Sequence, residues 1–313
     1  MMRRDINYIQ GVTMEDAVNV VRDSFFREYE IGLKEVVVRS QNEFADAYAE
    51  LLKYRDYEEC LNRMYARTRK ETFYYSGTCA ICNSQQNFIM DYRYAQEWNG
   101  QLIPNWRERM VCPNCGCNSR QRLIVHKIFE NYNIGNNVLM YEQSSDVFQK
   151  VQREIPQVKG FEYVGEEYGI TGTYKGIPCE DICNLSFKDE SYDLIVSNDV
   201  FEHVYDYEQA FQEAYRILKP GGRLLFTVPF NANSDMTARR VRKEGNDIIL
   251  TESEWYHGNP IGDFKPLLVY QLFGWDMLES LKKCGFTDAV GKVYYSISDG
   301  YMGYLPLYFE AYK

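Results

Sequence analysis

The chain has 313 residues, 45% hydrophobic and 26% charged, with a formal net charge of -10. That composition excludes a disordered or fibrous chain and leaves room for about two globular domains. Residues 1–130 carry 18 basic and 18 acidic side chains, while 131–313 carry 17 and 27, so the acidic second part argues against bulk nucleic-acid binding there.

The opening "MMRRDINYIQGV" lacks the apolar run of a secretory signal, and no run of 18 apolar residues exists for a spanning helix. Nine cysteines, paired rather than spread, fit a reducing, cytoplasmic compartment. Residues 1–75 read as a helical N-terminal arm. The segment Phe44–Ala66 sets Phe44, Ala47, Tyr48, Leu51 and Leu52 on one helical stripe, as a packing or homo-oligomerisation surface would.

Residues 76–120 read as a small metal module. "CAIC" holds Cys79 and Cys82, and after 29 intervening residues "CPNC" holds Cys112 and Cys115. Each turn aims two thiolates at one point, and two turns complete a tetrahedron of soft ligands, which suits structural Zn2+. Cys117 is a possible substitute ligand, and a redox dithiol or four free thiols are the competing readings. The aromatic-rich spacer reads as a hairpin.

Residues 121–313 alternate strand and helix. Strands are expected at "NVLMYEQ", "GFEYVGEEYG", near "GIPCEDI", and at "SYDLIVS" and "RLLFTVPF"; helices at "SSDVFQKVQREI" and "DYEQAFQEAYRIL"; two more strands lie in the tail. The alternation predicts an α/β, doubly wound parallel sheet, with ligands at the carboxyl ends of the strands. That edge collects Glu142, Glu166, Glu167, Asp181 and the stretch "SNDVFEHV" from Ser197 to Val204. In this stretch Asp199 and Glu202 have the spacing of a capping box, a purely local use for both.

The string "CEDICNLSFKDESYDLIVSNDVFEHVYDYEQAFQEAYRILKPGGRLLFTVP" closely resembles the class I S-adenosylmethionine-dependent methyltransferases of the type 11 kind. The tail, "WYHGNP" then "FGWDMLESLKKCGF", resembles methyltransferases associated with bacterial surface glycans. The resemblance implies a Rossmann-like seven-stranded sheet with the final strand antiparallel. It implies S-adenosylmethionine held near Glu142, Gln143 and Ser144, with Glu167 (or Glu166, one position earlier) on the ribose hydroxyls. Asp181 and Ile182 would meet the adenine, and Ser197 and Asn198 the methionine part. One departure stands out: no glycine occurs from Val138 to Val158, where the family keeps a glycine-rich cofactor loop.

Methyl transfer is an in-line displacement whose acceptor often loses a proton, and His203 and His257 are the candidate bases. In the branch that methylates quinone precursors, a similar acid-x-x-Glu-His string binds a divalent ion, which here would put Mg2+ on Asp199, Glu202 and His203. Arg239, Arg240, Arg242 and Lys243 read as a solvated face or as a clamp for an anionic acceptor. His126 reads as a packing or surface residue of a helix. The expected activity is methylation of a hydroxyl or amine of a glycan, nucleotide-sugar or small metabolite. An RNA-directed methyltransferase gripping RNA through the zinc module, and a non-catalytic binding protein, are the alternatives.

Overall fold

The computed structural model describes residues 13–26, 32–68, 71–133, 135–165, 172–245, 247–259, 261, 265–303 and 306–313. Its main sheet has seven strands: β1 (Lys34–Val38), β2 (Val138–Met140), β3 (Lys159–Gly160), β4 (Tyr192–Asn198), β5 (Leu218–Thr227), β6 (Asp288–Tyr295) and β7 (Leu307–Tyr312). They lie in the order β1-β6-β7-β5-β4-β2-β3. The strands β3, β2, β4 and β5 run parallel, and β7 is antiparallel to both β5 and β6. The Rossmann-like seven-stranded sheet expected from the sequence is present, with one difference in membership. The seventh strand comes from the N-terminal arm, while the strand expected near "GIPCEDI" forms at Ile177–Pro178, paired with Thr173–Tyr174 outside this sheet and followed by a parallel bridge between Glu162 and Cys179.

The helices are α1 (Met14–Phe26), α2 (Gln41–Glu50), α3 (Leu52–Thr68), α4 (Trp106–Arg109), α5 (Ser119–Asn131), α6 (Asp146–Glu154), α7 (Tyr207–Ile217) and α8 (Asp276–Lys283). Phe44–Ala66 is therefore two helices rather than one. Phe44, Ala47 and Leu51 are buried, but Leu52 is exposed, and α3 buries its own stripe at Tyr54, Tyr57, Leu61 and Tyr65. One stripe could not continue because the buried phase changes at the break.

The chain divides into two compact units. One comprises residues 1–34, 50–123 and 295–306; the other comprises 35–49, 124–294 and 307–313. A linear division at 75 and 120 does not describe these units, since β1 and α2 of the arm belong with the sheet and the 295–306 turn belongs with the cysteine-bearing unit.

In the sheet unit, β4 is buried on both faces, as its unbroken apolar run predicts. The amphipathic α7 buries Tyr207, Ala210, Phe211, Ala214 and Ile217. The chain passes from α7 directly into β5, and the Pro220–Gly222 segment shifts the β4/β5 register between Tyr192 and Leu194. Gly222 is confined there: an added Cβ would lie 2.9 Å from the Lys219 carbonyl oxygen. β1 is fastened by Arg39, whose Nη2 lies 2.7 Å from Asp288 on β6.

The other unit has an aromatic core. Tyr65 stacks on Phe73 at 4.1 Å, and the buried Trp106 donates Nε1–H to Asn62 at 2.8 Å. Its main hairpin pairs Thr72–Cys79 with Ser84–Asp91, and a smaller one pairs Gln96–Trp98 with Gln101–Ile103. The expected hairpin within the spacer is this smaller one. No helix among the described residues is long and apolar enough to cross a membrane.

Candidate cofactor crevice and metal centre

The direction of winding reverses between β2 and β4, since β3 lies beside β2 on one side and β4 on the other. Such a switch point opens a crevice at the carboxyl ends of the two strands. Glu142 follows β2 and Asn198 ends β4; the Asn198 Nδ2–H donates to Glu142 Oε1 across this gap. Ser145 caps α6 by accepting from Phe148 N at 3.1 Å. The glycine-poor loop thus keeps the helix-start geometry that the family builds with glycine.

The amides of Gln143 and Ser144 are already engaged. Both donate to Glu162 Oε1, at 2.9 and 2.7 Å. Glu162 sits two residues after β3 and is buried. Reading "GFEYVGEEYG" as one strand placed the acid at Glu167 or Glu166. The strand pairing ends at Gly160, and Glu166 and Glu167 lie outside the described residues. Glu162 is the first acid after β3.

Ser144 Oγ, Ser197 Oγ and Asn198 Oδ1 are buried and have no protein hydrogen-bond partner among the described residues. Buried polar oxygens without partners are costly, and a polar ligand in the crevice relieves that cost. S-adenosylmethionine, which brings an ammonium and two ribose hydroxyls, fits this donor demand. Asp181 accepts from Cys183 N at 2.8 Å, and the flanking Ile182 is buried.

At the end of β4 the chain turns sharply. Asp199 has φ of 51° and donates its N–H to the Thr227 carbonyl at 3.0 Å. A short 3-10 helix, Phe201–His203, follows with no side-chain cap. The capping-box use of Asp199 and Glu202 is therefore not made. Glu202 is instead completely buried between two imidazoles: its Oε1 lies 3.2 Å from His257 Nδ1 and 3.6 Å from His203 Nε2. The rings of the two histidines meet edge to face at 5.0 Å.

The segment between β5 and α8 builds this meeting. It forms three two-stranded ladders: Ala238–Arg239 with Gln271–Leu272, Val241–Glu244 with Asp247–Leu250, and Tyr256–His257 with Leu267–Leu268. The last ladder carries His257 on one strand and, on the other, the Leu268 carbonyl that bonds His203 Nδ1 at 2.8 Å. Gln271, fully buried, donates to the carbonyls of Phe201 and Val204 and holds the 3-10 turn in place. Sequence reading did not identify Gln271, because nothing local marks it. The basic group is not an open clamp. Arg239 pairs with Glu208 at 3.1 Å, Arg240 with Glu252 at 2.7 Å and Arg242 with Glu244 at 2.8 Å. His126, on α5, is half-buried.

In the other unit, Cys79, Cys82, Cys112 and Cys115 converge. The Sγ atoms of Cys79 and Cys115 are 3.8 Å apart, as are those of Cys82 and Cys112. Zinc–sulfur bonds of about 2.3 Å give a tetrahedron with edges of about 3.8 Å, so the four thiols fit Zn2+. Asn114 Nδ2 also approaches Cys82 Sγ, at 3.2 Å. Cys117 lies outside the group; its Sγ faces the Cys115 carbonyl at 3.8 Å. Four sulfur ligands would leave a bound ion no open coordination position, the arrangement of structural rather than catalytic zinc sites.

Residues 126–226 match the methyltransferase domain family. The chain is 34% identical over 130 residues to an arsenite methyltransferase of Aquipseudomonas alcaligenes, covering 41% of this chain and 32% of that protein. It is 54% identical over 43 residues to malonyl-[acyl-carrier protein] O-methyltransferase 1 of Coxiella burnetii, covering 14% and 15%. The chain thus spans at most about a third of the length of these two curated relatives. An S-adenosylmethionine-dependent methyltransferase from Mesorhizobium loti aligns with 62% of this chain and 98% of its own, at 15% identity and a TM-score of 0.38. The crevice beside β2 and β4 and the match across residues 126–226 identify a class I S-adenosylmethionine-dependent methyltransferase domain in this chain.

Proposed function

We propose that the protein transfers the methyl group of S-adenosylmethionine to a hydroxyl or amine of a glycan, nucleotide-sugar or small metabolite. The observation that carries this reading is the convergence at one sheet edge. Three buried oxygens lack partners at the crevice, and a buried carboxylate holds two imidazoles just beyond it. The sulfonium cofactor supplies the methyl group; this chain positions it and manages the acceptor proton. Glu142, Gln143, Ser144, Ser197 and Asn198 line the methionine end, Asp181 and Ile182 the adenine end, and Glu162 takes the ribose side assigned earlier to Glu167.

His257 is the better base of the two histidines. Its Nδ1 lies 3.2 Å from Glu202 Oε1, so the buried carboxylate stabilises the imidazolium that forms when the ring accepts a proton through Nε2. A carbonyl can only accept, so His203 donates Nδ1–H to Leu268 and is fixed in orientation. Calorimetric titration of the full chain with S-adenosylhomocysteine tests the cofactor assignment. Binding that weakens in Asn198→Ala is expected, and no binding by the wild type would overturn it.

A second reading rests on the same three groups. The donor atoms of Glu202, His203 and His257 lie within 4.8 Å of one another. Asp199 is not in that group; His257 takes its place, so the donor set is two nitrogens and one oxygen. Imidazole-rich sets suit a transition ion better than Mg2+. Metal counting after dialysis against a mild chelator separates the readings. A second tightly held ion that is lost in His257→Ala supports the cation, and one ion per chain supports the base.

A further inference from the structure

The cysteine-bearing unit holds a cavity that the proposed chemistry does not use. It measures about 610 Å³, within the range of about 300–1,000 Å³ typical of small-molecule sites. It opens between the C-terminal end of α3 and the smaller hairpin, and Arg63, Arg67, Glu71, Tyr92, Gln101 and Leu102 line it.

Two guanidinium groups reach the cavity from one helix face. Arg63 and Arg67 stand four positions apart on α3, which places one above the other. Like charges at that spacing repel, and only one of them is offset: Arg63 pairs with Glu59, while Arg67 meets no carboxylate within ion-pair distance among the described residues. The last turn of a helix favours a cation, which accounts for an arginine at 67 but not for its facing a cavity with Arg63. An anionic group bridging the two would relieve the repulsion.

The other lining groups suit a sugar. Gln101 Nε2 is shielded from solvent and has no hydrogen-bond partner among the described residues, a cost that a ligand hydroxyl removes. Glu71 is exposed and outside any ion pair among the described residues, so its carboxylate is available to accept from hydroxyls. Trp98 is the ladder partner of Gln101, so the two side chains share a face, and its indole is 71% exposed. An exposed indole beside hydrogen-bonding groups gives a sugar ring an apolar face to pack on. A nucleic-acid strand suits the cavity less well. Glu71 repels a phosphodiester backbone, and strands bind along extended basic grooves rather than in a closed hollow.

We propose that this cavity binds a phosphorylated sugar, with the phosphate on Arg63 and Arg67 and the hydroxyls on Glu71 and Gln101. The site uses neither the cofactor crevice nor the Glu202–His203–His257 cluster, so it stands or falls independently of the methyl-transfer reading.

Calorimetric titration of the full chain, without cofactor, against glucose, galactose and mannose 1-phosphates tests this. Saturable binding of at least one of them is expected, tighter than that of inorganic phosphate by about tenfold or more. Arg67→Ala should weaken it by about tenfold or more. Glu71→Gln should weaken the sugar phosphate by about threefold or more, while inorganic phosphate binds that variant no more weakly than wild type. Arg67 and Glu71 are both exposed, so these variants should keep the wild-type melting temperature. If Arg67→Ala nevertheless fails to fold, Glu71→Gln and Trp98→Leu decide, each expected to weaken the sugar phosphate alone. Any of four results overturns the proposal: no binding of any of the three sugar phosphates, inorganic phosphate bound equally well, affinity unchanged in Arg67→Ala, or tighter binding of a single-stranded RNA oligonucleotide that Arg67→Ala weakens.

Discussion

The two functional clusters of this chain are assembled by opposite means. The four cysteines come from two CxxC turns, each of which aims its pair of thiols before any tertiary structure exists. The Glu202–His203–His257 cluster gathers residues more than fifty positions apart, and its geometry depends on Leu268 and Gln271 from two further strands. On the proposed reading the first cluster, once it binds zinc, holds its unit together, whereas the second is held by its unit. Removing ligands from the first should cost folding, and removing them from the second should cost chemistry.

The largest effect expected follows from stripping zinc. A strong chelator, or Cys112→Ser, should abolish hydrogen-exchange protection in the 72–91 hairpin while β2 and β4 stay protected. Structural zinc contributes on the order of 10 kcal/mol in small domains. Equal loss of protection in both units would break the contrast. Next in size is the buried carboxylate. Glu202→Gln and His257→Gln should each lower single-turnover methyl transfer by about 10²-fold or more, with cofactor affinity within a few-fold of wild type. His203→Gln should cost less, since its role is to orient. Unchanged rates in Glu202→Gln and His257→Gln would end the base assignment.

A smaller effect probes the crevice itself. At Gly160 an added Cβ would lie 2.5 Å from the Glu142 carbonyl oxygen and 2.5 Å from the Phe148 ring. Gly160→Ala should therefore destabilise the sheet unit by about 2 kcal/mol, read as a lowered melting temperature, and should weaken S-adenosylhomocysteine binding. The smallest effect concerns acid. Burial raises the Glu108 carboxyl, but the Arg120 and Arg107 guanidinium groups outweigh it and bring the pKa down from 4.5 to about 2. A depressed carboxyl contributes stability that is complete above pH 4.5 and is lost as pH falls toward 2. Glu108→Gln lacks that contribution at every pH. Between pH 7 and 3 its deficit against wild type, measured by denaturant titration, should shrink rather than stay constant.

Much of the fold was legible. The apolar run of β4 and the helix α7 follow from local pattern, and each appears where the pattern put it. The break between α2 and α3 was not legible, because two short helices with different buried phases mimic one long stripe over a few turns. The contact of Glu162 with the loop amides was not legible for a related reason. Acids at 162, 166 and 167 are interchangeable as sequence, and only the end of strand pairing at Gly160 places the first of them against the loop amides. The basic group at 239–243 left a solvated face and a clamp open in the sequence, because the partners of Arg239 and Arg240, Glu208 and Glu252, lie 31 and 12 positions away.

By itself the sequence determined the alternation that makes a doubly wound sheet and the tetrathiolate spacing, because both are set by interactions over a few residues. Tertiary structure alone decided which carboxylate meets which imidazole, and that Arg122 is buried. Those outcomes depend on loop paths and long-range strand order, and no local preference encodes the distance between residues 202 and 257.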